Sequence, residues 1–319
     1  MLRWKKLGQI FDPTRHKTIW MNHYSQNPNV LELEDRLRIY FTCRPERDEI
    51  GNCVSNTAYA DFEKEEPFKL IEVAENPVLQ LGGPGDFDEF GIMPGSVLNM
   101  EDKNEIWLYY VGWTRMHSVP YKWSNGLAIS KDNGKTFERF SKGPIMGSIF
   151  NDPYLQACPR TMRVGNDEFI MWYNAGIEWN LLDGHYESIY ITRFATSKDG
   201  IHWSDNNRQV IPTRVSKECQ TSASFININN QNHMFFSYRF GLNFRNKENG
   251  YRIGHAYGEN YVDWIRDDEM SNLKVSESGW DSEMVCYPHV VRLKDKIYMF
   301  YCGDNFGQNG FGVAVLENE

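Results

Sequence analysis

Acidic residues gather ahead of four of five short, related segments of this chain, and two of them keep the same offset. Glu89 stands five residues before Pro94, and Glu283 five residues before Pro288. Asp88 adjoins Glu89, while Asp152 and Glu218 precede the related segments around Pro159 and Ser222. Two carboxylates brought to one cavity from distant parts of a chain can divide acid–base work, one protonating a leaving oxygen and the other activating water or another acceptor. Glu89 and Glu283 form the leading pair for that chemistry, with Asp88 and Asp152 able to take their places. The competing fate of each acid is solvation, or capping of backbone amides.

The segments themselves add polar groups. The position after the central residue reads Asn29, Gly95, Arg160, Ala223 and His289, so three copies carry groups that a purely architectural repeat does not need. An imidazole with an ordinary pKa of ~6.5 suits His289 to proton relay or donation. Arg44, Arg160 and Arg239 suit a clamp on a carboxylate or phosphate. Trp113, Trp179 and Tyr173 sit where an apolar ligand face can stack.

These residues need a scaffold that brings them together, and the repeat supplies one. The segments are Asn27-Pro28-Asn29, Met93-Pro94-Gly95, Cys158-Pro159-Arg160, Thr221-Ser222-Ala223 and Tyr287-Pro288-His289, recurring about every 65 residues. Each is followed by a strand-forming run and a second strand dense in aromatics: 37–44, 105–113, 168–176, 233–239 and 296–304. A third follows at 56–62, 126–131, 191–197, 251–257 and 310–316. One period is one small antiparallel sheet. The fold class is therefore all-β, a five-bladed β-propeller, read as a single domain over 1–319. The inner strands line a central funnel, where the segments converge.

Outer strands are expected around 207–211 in blade three and 262–266 in blade four. The fifth copy has no room for one after its third strand, so the segment 4–11 is expected to complete blade five and close the ring, since an open edge would be left otherwise. Two hairpins, Ser130-Lys131-Asp132-Asn133-Gly134-Lys135-Thr136-Phe137 and Ser197-Lys198-Asp199-Gly200-Ile201-His202-Trp203, resemble the Asp box of sialidases. In both, the aspartate is expected to bind backbone amides across the turn, a structural task.

With 34 Lys plus Arg against 43 Asp plus Glu, the net charge is -9, which argues against nucleic acid as a partner. No apolar run long enough to span a membrane and no secretion-like leader is present, so a cytoplasmic protein without membrane partners is expected. The six cysteines lack CxxC spacing and a His pair, so buried thiols are expected rather than disulfides or a metal site. No cofactor is implied.

The period, the segment Gly85-Asp86-Phe87-Asp88-Glu89-Phe90-Gly91-Ile92-Met93-Pro94-Gly95-Ser96 and the Ser-Lys-Asp-Gly-Ile-His-Trp hairpin resemble the arabinanase, levansucrase and invertase superfamily of five-bladed propellers over essentially the whole chain. That resemblance implies a glycoside hydrolase, transferase or phosphorylase acting through funnel carboxylates on a small carbohydrate or oligosaccharide. Glu218-Cys219 is similar to the Glu-Cys pair of invertase-like enzymes, and Asn151-Asp152-Pro153 to their Asp-Pro pair, each one blade later than in that family. Where those relatives carry a catalytic Asp on the first inner strand, this chain has Gln26, Asn27 and Asn29, and an amide is no nucleophile. Arg44 followed by Ser55 resembles a blade-one pattern of the β-mannoside phosphorylases, which hold phosphate with Arg and His; Arg160 and His289 would then take that part. The leading expectation is a glycoside hydrolase. An inverting phosphorylase and a non-catalytic glycan-binding propeller are the alternatives.

Overall fold

The computed structural model describes residues 1–49 and 51–317. Strand β1 (Trp4–Phe11) opens the chain. Blade one follows with β2 (His23–Glu32), β3 (Leu37–Arg44), β4 (Asn56–Phe62) and β5 (Leu70–Val73). Blade two holds β6 (Gly91–Met100), β7 (Glu105–Arg115), β8 (Tyr121–Ser130) and β9 (Glu138–Arg139). Blade three holds β10 (Gln156–Gly165), β11 (Glu168–Leu182), β12 (His185–Ser197) and β13 (Ser204–Gln209). Blade four holds β14 (Cys219–Ile228), β15 (Gln231–Arg239), β16 (Arg252–Gly258) and β17 (Ile265–Arg266). Blade five holds β18 (Cys286–Leu293), β19 (Lys296–Cys302) and β20 (Phe311–Leu316), and β1 is its fourth strand. The five antiparallel four-stranded sheets are the blades of a five-bladed propeller.

The ring closes as the repeat requires. Trp4 lies opposite Leu316 and Phe11 opposite Phe311, so the last sheet is sewn by the first strand of the chain. Between neighbouring sheets lie apolar clusters, such as Tyr40, Leu108 and Tyr110 between blades one and two, and Trp107, Tyr109 and Met171 between two and three. The Asp-box hairpins interlock the same neighbours. Tyr40 donates its hydroxyl to the Gly134 carbonyl at 2.6 Å, and Tyr109 donates to that of Gly200 at 3.0 Å. Asp132 accepts from the amides of Lys135 and Thr136, and Asp199 from those of Ile201 and His202.

Two regions depart from expectation. The second hairpin of blade three is longer than 168–176 and 191–197, running to Leu182 and back from His185. It turns at Asp183-Gly184, both at positive φ, which matches the twist of the strands it joins. The outer strands β9 and β17 are only two residues long, and β13 spans Ser204–Gln209 rather than 207–211. No described helix is long and apolar enough to cross a membrane.

Because neighbouring strands run antiparallel, the end where the first strands begin is also where the second strands end and the third begin. We call that end the mouth.

Candidate functional site

Every inner strand carries a register shift at the repeated segment: Gln26/Asn29, Pro94/Ser96, Ala157/Arg160, Thr221/Ser224 and Cys286/His289. Asn27, Cys158, Ser222 and Tyr287 sit there at positive φ. A bulge of this kind bends a strand and re-aims a side chain. Here the bulged groups meet on the axis. Arg160 donates from Nη2 to Asn27 Oδ1 at 2.6 Å and from Nη1 to Asn29 Oδ1 at 2.5 Å. Ser222 Oγ donates to Asn27 Oδ1 at 3.0 Å, and Asn27 Nδ2 to the Pro94 carbonyl at 2.5 Å. Arg160 Nη1 also lies 3.4 Å from His289 Nδ1. One network thus gathers all five blades, and it unites Asn29, Arg160 and His289.

The network is electrostatically unusual. Arg160 is 5% exposed, its Nε has no partner, and burial pulls its pKa down. Among the described residues no carboxylate pairs with it; its acceptors are amide oxygens. Burial, then the neighbouring guanidinium, lower His289 to about 3, so this imidazole is neutral at pH 7. Its Nδ1 faces a donor, which assigns the proton to Nε2.

At the mouth, Arg44 ends β3 half-buried, stacked 4.7 Å from the Tyr24 ring centroid and donating to Ser55 Oγ at 3.3 Å. Ser55 bridges blade one to Gly91 of blade two. Trp113 lies over Gly91, where an added Cβ would fall 1.5 Å from its Nε1, so only glycine admits the indole. Beyond it, Tyr121, Trp123 and Trp179 form a half-buried aromatic wall, with Tyr121 and Trp123 stacked at 4.5 Å. On the far side, Arg239 is buried against Phe244 at 3.5 Å and donates to the hydroxyls of Tyr190 and Tyr251. Arg239 is thus separate from the axial network in its bonding.

The acids divide into two groups. Asp88 is fully buried and accepts from the Tyr110 hydroxyl at 3.0 Å and from Arg139 Nε of the outer strand at 2.9 Å. Asp152 accepts from Tyr173 at 2.8 Å and forms an ion pair with Arg193 at 3.1 Å, and Asp281 accepts from Tyr301 at 2.9 Å and Lys6 at 2.6 Å. Glu218 takes the same place in blade four, paired with Arg266 at 2.6 Å, with Phe236 where the other blades have tyrosine. Burial, then the adjacent carboxylate, push the Tyr110, Tyr173 and Tyr301 hydroxyls far up, so they stay donors. Gly126 on the third strand makes room for Tyr110, since a Cβ there would lie 2.4 Å from the ring. These are latches from the second strand to the outer part of the blade. Tyr173 therefore holds Asp152 rather than standing free for stacking.

Glu89 and Glu283 are different. Glu89 is half-buried and accepts from the Gly85 amide at 3.0 Å; Glu283 is exposed. Among the described residues neither has a cationic partner, and no hydrogen bond joins the two. Sequence reasoning passed over Asn27, Ser222 and Cys158 as axial groups; their positions at the bulge were the available signal.

The fold defines the class: a five-bladed β-propeller, the architecture that the sequence resemblance implied. No family model matches the chain. It is 32% identical over 320 residues to the uncharacterized protein Rv1502 of Mycobacterium tuberculosis, covering 99% of this chain and 100% of that protein, and it belongs to the same family. Among solved structures, a "Glycoside hydrolase" superposes with a TM-score of 0.75 at 17% identity, covering 98% of this chain and 92% of that one. A structure described as "The GH130 family of mannoside phosphorylases contains glycoside hydrolases that target beta-1,2 mannosidic linkages in Candida mannan" gives 0.63 at 15% identity, covering 98% and 93%. At these identities the likeness is one of fold.

Proposed function

We propose that this chain is a carbohydrate-active enzyme, a glycoside hydrolase working at the mouth of the funnel. Glu89 and Glu283 are the acid–base pair, Asn29, Arg160 and His289 orient substrate from the axis, and Arg44 and Trp113 hold it at the rim. One observation carries this reading: four blades spend their buried acid on a repeated latch, while Glu89 and Glu283, which lead into the inner strands of blades two and five, have no cationic partner among the described residues. Asp88, Asp152 and Glu218 are assigned to the latches instead, because a carboxylate already held by a cation and further donors is a poor proton carrier.

Replacing Glu89 or Glu283 by Gln is expected to cut turnover of aryl glycosides or oligosaccharides by about 100-fold or more while the fold persists. Full activity in both variants removes the assignment. The arginines that lack carboxylates favour a second reading, phosphorolysis. Assays with and without phosphate decide it, since only a phosphorylase is accelerated and yields a sugar phosphate. Binding without turnover of any glycoside leaves a glycan-binding propeller.

A further inference from the structure

Most arginines sort by place, although Arg245, in the loop between β15 and β16, lies at the mouth and pairs with Glu187 at 2.6 Å. Arg36, Arg38, Arg139, Arg163, Arg193 and Arg266, on blade walls and turns, pair with carboxylates. Arg44, Arg47, Arg115, Arg160, Arg239 and Arg252 make no ion pair among the described residues. Arg160 is on the axis, and the others end second strands, begin a third, or lie in the loop between. All six are at the mouth or on the axis, in a chain whose net charge is -9.

Two of them are neighbours fixed in the same way. Arg115 lies 4.0 Å from the Phe90 ring centroid and donates to the Cys53 carbonyl at 3.1 Å, while Arg44 stacks on Tyr24 and donates to Ser55 two residues further on. Both are half-buried, and Arg44 reaches its second acceptor, Gln26, only at 3.4 Å. Stacked guanidinia with spare donors are preorganised for a planar or tetrahedral anion, and their charge is felt strongly in a concave mouth. Phe90 adjoins Glu89 in the chain, so the ring under Arg115 and the proposed acid belong to one loop.

Resting on the reading of the mouth as a sugar site, we infer that Arg44 and Arg115 bind an anionic substituent carried by the sugar itself, a carboxylate or a phosphate ester. The substrate is then an acidic saccharide, and Arg115 is its specificity residue.

The test is equilibrium binding to the intact protein of matched probes: glucuronate against glucose, galacturonate against galactose, mannose 6-phosphate against mannose, and inorganic phosphate alone. At least one acidic probe is expected to bind roughly 10- to 100-fold tighter than its neutral parent and to weaken as salt rises. The uronate and phosphate arms tell the two anion sources apart. Arg115→Gln is expected to remove that preference without changing neutral-sugar affinity, Arg44→Gln to remove it while also weakening neutral sugars, and Arg115→Lys to restore part of it. The proposal is overturned if acidic and neutral probes bind alike, if none binds by about 10 mM, if inorganic phosphate alone binds as tightly, or if both Gln variants keep the preference. Binding is read without turnover, so full activity of the Glu89 and Glu283 variants would sink the acid pair while leaving this result to stand or fall alone.

Discussion

The blade walls and the ring axis use the same kinds of side chain to opposite ends. In the walls, Asp88, Asp152, Glu218 and Asp281 each meet a cation from the third or outer strand, and three of them meet a tyrosine from the second. On the axis, Asn27, Asn29, Arg160, Ser222 and His289 form one cluster in which no position repeats another and no acid offsets the guanidinium. Repetition marks what a sheet needs in order to stand. Broken repetition marks what this protein does with the space it encloses.

The comparison is broken most forcefully at Glu218. Its partner Arg266 is 2% exposed at the side chain, so Glu218→Ala leaves a buried cation with Asp268 as its one remaining carboxylate and is expected to cost about 3 kcal/mol. Urea unfolding followed by tryptophan fluorescence measures it, and a loss below about 1 kcal/mol would show that the latch is ornamental.

A smaller effect is expected as pH falls. His255 is held at about 4 by burial and by His233, and His289 at about 3 by burial and by Arg160, against an ordinary value of 6.5. The unfolded chain then binds protons that the folded chain refuses. Stability is full above 6.5 and falls on acidification, by about 1.4 kcal/mol per pH unit for each histidine until its folded value is reached. His255→Gln should flatten that slope, read as the urea midpoint at about pH 7 and pH 5. An unchanged slope removes His255 from the account.

The smallest change sharpens the comparison. Tyr301→Phe takes one donor from buried Asp281 but leaves Lys6, and is expected to cost about 1–2 kcal/mol with sugar binding unaltered. Loss of binding there would join wall and axis into one functional unit.

Much of the architecture was legible because its signals are local. Alternating strand residues, aromatic second strands and the repeated Pro segment place β3, β4 and β1 at the residues expected, since each needs only its own side chains and one neighbour. The two-residue strands β9 and β17 were less legible, having too little pairing to leave a pattern. The extended blade-three hairpin was missed although its Asp-Gly turn is a plain signal.

The chain's order of residues alone determined five sheets, a closed ring and the meeting of Asn29, Arg160 and His289, because the period puts like positions at like radius. Which acids are spent was decided only in three dimensions. Asp88 and Glu89 are adjacent in the chain, yet one is turned into the wall toward Arg139, 51 positions away, and the other caps its own loop. A carboxylate's role is set by the charges that surround it, and those come from strands that the sequence separates and the fold brings together.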